Sequence, residues 1–120
     1  MAAVFEENER RRETRINRTE RAQVKVAEPT ADIALANTQF DATTVDISAC
    51  GMQLKMANIL SIGTHIEICV SIQGSPMRFF IKGEVRWQAD NTAGEHCHGI
   101  QLQCHGKPSA DLLSWQELFI

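Results

Sequence analysis

The chain has 120 residues, a hydrophobic fraction of 43%, no tyrosine and a formal net charge of −3. That length holds one ordinary domain rather than two, and its Ile, Val, Leu and Met content is enough for a core without disulfide staples. No apolar run approaches the ~20 residues that span a bilayer, and an acidic chain is a poor candidate for coating nucleic acid over a broad surface.

From the N-terminus, charge begins directly after Phe5 and no apolar signal segment is present. A cytoplasmic location is therefore expected, with Cys50, Cys69, Cys97 and Cys104 as reduced thiols. Residues 10–25 hold seven cations and two anions, a local charge of +5 that leaves −8 for the remainder. Positive charge confined to one short segment of an acidic body favours a small anionic ligand gripped at one place. Residues 1–19 lack hydrophobic periodicity and predict a flexible, arginine-rich arm, followed by one domain over 20–120.

The body reads as strands. Val24 and Val26 alternate with polar neighbours, and residues 40–47 are rich in β-branched side chains. Ser48 to Gly51 reads as a turn, from which Met52, Leu54 and Met56 alternate as the next strand. Residues 65–73 alternate cleanly, Gly74-Ser75-Pro76 marks a turn, and residues 77–87 form the longest run. His98, Ile100 and Leu102 belong to a last strand, and Ser109 is positioned to cap a short helix within residues 108–119. Short strands with turn punctuation and one late helix predict an all-β fold, a small six-stranded antiparallel barrel.

Two motifs carry chemistry. Arg11-x-x-x-Arg15, preceded by Arg10, lies in the arm; Asp46-x-Ser48-x-x-Gly51 lies at a strand-to-strand turn. A guanidinium presents a planar fork of donors that suits phosphate oxygens or the O6/N7 edge of guanine. An ionised carboxylate such as Asp46 accepts from the opposite guanine edge, and a hydroxyl such as Ser48 donates or accepts there. Strand alternation puts Asp46 and Ser48 on one face, where Gly51 supplies either a positive φ or room for a close approach.

The order and spacing of these motifs resemble the PilZ domain family, whose members bind the bacterial second messenger cyclic di-GMP. The resemblance runs from about residue 10 to 103 and includes Gly83-Glu84-Val85-Arg86-Trp87 and His98-Gly99-Ile100-Gln101-Leu102. It implies a non-enzymatic receptor in which Arg10, Arg11, Arg15, Asp46, Ser48 and Gly51 bind cyclic di-GMP. Trp87 falls where some members place an aromatic beside a guanine. An arginine at the place of Arg10 goes with capture of a stacked dimer of the ligand. The implied output is motility, biofilm or exopolysaccharide control through an unidentified downstream protein, without membrane insertion.

Two other function classes compete. One is a ligand-independent protein-interaction module; the other is a single-stranded nucleic-acid binder, opposed by the acidic body and the scarcity of stacking aromatics. The cluster His96-Cys97-His98 with Cys104-His105 contains zinc-ligand types, but its spacing is not that of a structural zinc site, and no metal is expected. The simpler reading is a strand end with partly exposed histidines. Strict alternation turns Arg86 away from Trp87 as an ordinary surface cation, and Cys50 is a reactive thiol only if it is exposed beside a cation. No nucleophile elbow, phosphate-cradling glycine loop or carboxylate pair is present, so no cofactor and no catalysis are expected.

Overall fold

The computed structural model describes residues 15–27, 38–90, 94–103 and 109–119. Arg10 and Arg11, and Cys104 and His105, lie outside the described residues. Among the described residues, seven strands occur in chain order, β1 Ile16–Asn17, β2 Arg21–Val26, β3 Gln39–Ile47, β4 Gly51–Met56, β5 His65–Ser71, β6 Arg78–Asp90 and β7 His96–Leu102, followed by one helix, α1 Ala110–Glu117.

The sheet runs β1-β3-β2-β5-β6-β7-β4, and β4 pairs back onto β3. Every pairing is antiparallel, so β3-β2-β5-β6-β7-β4 is the six-stranded closed barrel that the alternation predicts. Closure leaves no long unpaired edge among these strands. Inward positions carry the core: Val24, Leu54, Ile68, Val70, Phe79, Ile81 and Val85 are all nearly inaccessible. Outward positions between them are mostly charged or polar, which is why period two shows so clearly in the sequence.

β1 is not a separate layer. Ile16 and Asn17 pair with Ile47 and Asp46, while β2 pairs with residues 39–43 of the same strand. The two therefore flank one side of β3 and are separated only by residues 18–20. Buried Thr44 fastens that interruption, its Oγ1 accepting from the Glu20 amide at 2.8 Å and donating to the Arg18 carbonyl. The end of the segment that shows no periodicity in the sequence is thus docked on the barrel.

Two pairings slip by one residue, between Thr44 and Asp46 against β4 and between Val85 and Trp87 against β7. Both are β-bulges, which bend a strand and re-aim its side chains. At the barrel end beyond β7, Ser109 caps α1 by accepting from the Leu112 amide at 3.1 Å. The helix drives Leu112 and Trp115 into the core. Trp115 meets Phe79 edge to face, with ring centroids 5.5 Å apart.

Candidate functional site

The turn between β3 and β4 is closed on itself. The Ser48 amide donates to the Gly51 carbonyl at 2.8 Å, and the Ser48 hydroxyl donates to the same oxygen at 3.1 Å. Ser48 is fully buried, and its own carbonyl accepts from Trp115 Nε1 at 2.9 Å. The hydroxyl proton is therefore committed within the turn, which leaves lone pairs as the group's remaining capacity. Of the two roles open to Gly51, the structure selects close approach. Its φ is not positive; a Cβ there would lie 3.2 Å from the Ile100 carbonyl and 3.5 Å from Arg15 Nη2.

Arg15 lies directly over that glycine. Its Nη1 donates to Asp46 Oδ1 at 2.8 Å, with the Arg15 side chain half exposed and that of Asp46 mostly covered. Pairing of Asn17 with Asp46 brings the two within reach. The docked segment is held again at Arg18, whose Nε donates to Glu20 Oε1 at 3.0 Å. Glu20 is buried, and its second carboxylate oxygen accepts from the Gln73 amide at 2.7 Å. Both oxygens of a buried carboxylate are thereby satisfied, as burial of a charge requires.

Trp87 forms the opposite wall. It faces Gly99 in register, and a Cβ on Gly99 would fall 1.9 Å from Trp87 Nε1 and 2.2 Å from Cε2. The indole thus lies across the bare backbone of β7 while the residue remains 44% exposed. Arg15, Gly51, Gln53, Arg86, Trp87 and Gly99 line a single cavity of about 250 Å³. Two guanidinium groups, an aromatic plate and a glycine floor, with a carboxylate orienting one arginine, make a surface suited to a planar, anionic ligand.

A PilZ domain model matches residues 9–115. The chain belongs to the PilZ domain family. Solved structures agree on the fold of this PilZ domain. The inhibitor of motility MotI/DgrA of Bacillus subtilis superposes with a TM-score of 0.64 at 14% identity, over 88% of this chain and 47% of that one. The PilZ domain of CeSA from a cellulose-synthesizing bacterium gives 0.59 at 20% identity, over 88% of this chain and 93% of that one. The PilZ domain of YcgR from Escherichia coli, solved with c-di-GMP, gives 0.61 at 16% identity, over 92% and 88%. No curated protein matches by sequence.

Within this PilZ domain, Arg15, Asp46, Ser48 and Gly51 converge at one turn, and Trp87 shares a cavity with Arg15 and Gly51. Arg86 corrects the alternation argument. The bulge between Val85 and Trp87 leaves both Arg86 and Trp87 exposed, and both line the cavity. Its guanidinium is steadied by Glu84 at 3.4 Å. Gly99 is a second residue missed in the sequence; it is recognisable as a partner of Trp87 only once the β6–β7 register is known.

Two further expectations change. Cys50 is held in a disulfide, so it is neither reduced nor a reactive thiol, whereas Cys69 and Cys97 are free. His98 is fully buried rather than at an exposed strand end. Its Nε2 accepts from the Leu60 amide at 2.9 Å, which makes Nδ1 the protonated nitrogen, donating to the His96 carbonyl at 3.2 Å. Burial pushes the imidazole below its ordinary value, the bond to the His96 carbonyl opposes this, and the charge of His96 reinforces it. No group of three or more metal-ligating side chains suited to an ion occurs among the described residues, and no helix there is long and apolar enough to cross a membrane.

Proposed function

We propose that this PilZ domain is a receptor for cyclic di-GMP and an adaptor whose surface changes when the ligand is bound. The observation that carries the reading is Arg15, paired with Asp46 at 2.8 Å and seated over Gly51, where it lines the cavity that also contains Trp87. Arg15 offers the donors that Asp46 leaves unused to a phosphate or to the O6/N7 edge of guanine. Asp46 accepts from the opposite edge of a guanine, Ser48 keeps the turn in shape, and the Trp87 indole stacks on a base. Arg86 adds positive charge on the same wall. Arg10 and Arg11 reach the ligand from the preceding segment, Arg11 as the second anchor of the Arg-x-x-x-Arg motif and Arg10 as the contact that admits a second, stacked ligand molecule.

Ordering residues of the arm against the ligand consumes part of the binding energy, ~2–5 kcal/mol in typical coupled folding. That ordering is the signal: it changes the surface offered to a downstream protein acting in motility, biofilm or exopolysaccharide output. The reading is of a receptor rather than an enzyme.

Calorimetric titration with cyclic di-GMP, with GMP and GTP as competitors, tests it. Binding is expected, with two ligand molecules per chain, a change in Trp87 fluorescence and little competition from the mononucleotides. Asp46→Ala and Arg11→Ala each remove hydrogen bonds to a charged group, worth ~1.5–3 kcal/mol or about tenfold and more in affinity, with the fold intact. Absence of heat and of any fluorescence change at micromolar ligand sinks the proposal, and a single ligand per chain removes the role of Arg10.

A further inference from the structure

A different face of the barrel carries a second pattern. The registers of β2, β5 and β6 place nine outward side chains in three rows: Arg21, Ser71 and Arg78; Gln23, Cys69 and Phe80; Lys25, Glu67 and Lys82. Cations occupy all four corners, on strands spaced so that the frame measures roughly 10 Å across and roughly 13 Å along the strands. Among the described residues, no carboxylate within 4 Å pairs with any of the four. Arg15, Arg18 and Arg86, by contrast, are each held by an acid.

Phe80 stands within this frame at 65% exposure, at a position where strand alternation calls for a polar side chain. Its cross-strand neighbour Cys69 is too small to cover the ring. One exposed phenylalanine is ordinary on a protein surface. One that is framed by four unpaired cations, on a chain of net charge −3, calls for a ligand of complementary make-up. Two shallow depressions, of about 440 and 360 Å³, meet on this face at Gln23, Cys69 and Arg78.

We infer that the outward face of β2, β5 and β6 is a docking surface for an acidic protein segment that carries an apolar anchor residue. The anchor packs against Phe80 and Cys69, and the carboxylates flanking it reach the corner cations. An aromatic anchor with charged residues at the margin is how small protein interfaces concentrate their energy. The charge frame steers the encounter and sets the register. Nucleic acid fits less well. A phosphate backbone needs a continuous cationic track, whereas Glu67 lies between Lys25 and Lys82, and Asp41 flanks Gln23 on β3. A single aromatic also offers no succession of stacking platforms. No residue of the frame lines the cavity around Arg15 and Trp87, so this inference stands independently of the nucleotide reading.

The test uses the full chain, 15N-labelled, and four probes: a short synthetic peptide of Glu interrupted by Leu, the same peptide with Lys for Glu, a Glu/Ser peptide without Leu, and an oligothymidylate. The Glu/Leu peptide is expected to shift the amide signals of Gln23, Cys69 and Phe80, with affinity falling as salt rises, while the Lys peptide does nothing and the Glu/Ser peptide binds more weakly. Arg78→Glu with Lys82→Glu, and separately Phe80→Ser, should each weaken the peptide by ~10-fold and leave cyclic di-GMP binding as in the parent. Arg21→Gln with Lys25→Gln provides a second, milder pair should the charge reversal disturb the fold. The inference is overturned if the Glu/Leu peptide leaves this face unshifted, if the variants bind it like the parent, or if the oligothymidylate shifts these amides in its place.

Discussion

The two ends of β4 are fastened in the same manner by different chemistry. At its start, the turn of Ser48 is held by a buried ring nitrogen, Trp115 Nε1 donating to the Ser48 carbonyl at 2.9 Å. At its far end, the connection 57–64 is held by another, His98 Nε2 accepting from the Leu60 amide at 2.9 Å. Trp115, His98 and Leu60 are all fully buried. An indole N–H does not titrate in the physiological range, whereas an imidazole acceptor is lost on protonation. The indole bond that fastens the end presenting Asp46 and Gly51 therefore does not respond to pH in this range, whereas the imidazole bond at the far end does.

Removing the indole is the largest way to break this comparison. Trp115 is fully buried and packs on Phe79 and Phe119, with both ring centroids 5.5 Å away. Trp115→Ala should lower unfolding free energy by ~3–5 kcal/mol, as large-to-small aromatic changes in cores do, read as a shifted urea midpoint. Trp115→Phe keeps most of the packing but strands the Ser48 carbonyl, at ~1–3 kcal/mol. Both should weaken cyclic di-GMP, because the turn loses its inner support. A Trp115→Phe variant with parental affinity would show that the turn holds itself.

The far end should give way on acidification. Burial lowers the His98 pKa in the folded chain below its ordinary 6.5, so the unfolded chain binds the proton more readily. Stability is then full above 6.5 and declines as pH falls through 6.5 towards the lowered folded value. Protonation also removes the lone pair that receives the Leu60 amide. The urea midpoint at about pH 5.5 should lie below that at about pH 7.5, and His98→Gln, whose amide oxygen can still accept, should flatten the difference. Nucleotide affinity in His98→Gln should match the parent, and a loss of affinity there would show that the two ends are coupled.

What the chain discloses in sequence and what it hides divide along physical lines. Alternation exposes β2 to β7 because inward and outward residues meet opposite solvents, and Ser109 before Leu112 and Trp115 marks the helix. A two-residue strand such as β1 has no period to display. The bulges are silent because Val45 and Arg86 are unremarkable strand residues; only the register shows that each is the extra one. For that reason Arg86 reads as facing away from Trp87. Asp46 and Ser48 share a motif, yet burial separates them, Ser48 working inside the turn and Asp46 towards Arg15. The burial of His98 depends on a contact with the distant Leu60 segment, and no spacing encodes that.

The smallest effects come from one glycine in each fastened segment. Gly63 has φ +94 and nothing within 4 Å of a Cβ, so Gly63→Ala meets open space but a backbone that L residues adopt at ~1–2 kcal/mol. Gly51 presents the converse. Its backbone is ordinary, so alanine recovers the ~0.5–1 kcal/mol that glycine forfeits in a strand, while the new methyl group crowds the Ile100 carbonyl at 3.2 Å and Arg15 Nη2 at 3.5 Å. These terms nearly cancel in stability, and the melting temperature of Gly51→Ala should stay close to that of the parent, above that of Gly63→Ala. Trp115 holds the turn from below, so the guanidinium rather than the backbone must move. Cyclic di-GMP affinity should therefore fall in Gly51→Ala and remain unchanged in Gly63→Ala. Equal affinities in the two variants would mean that the seat of Arg15 over Gly51 has no part in binding.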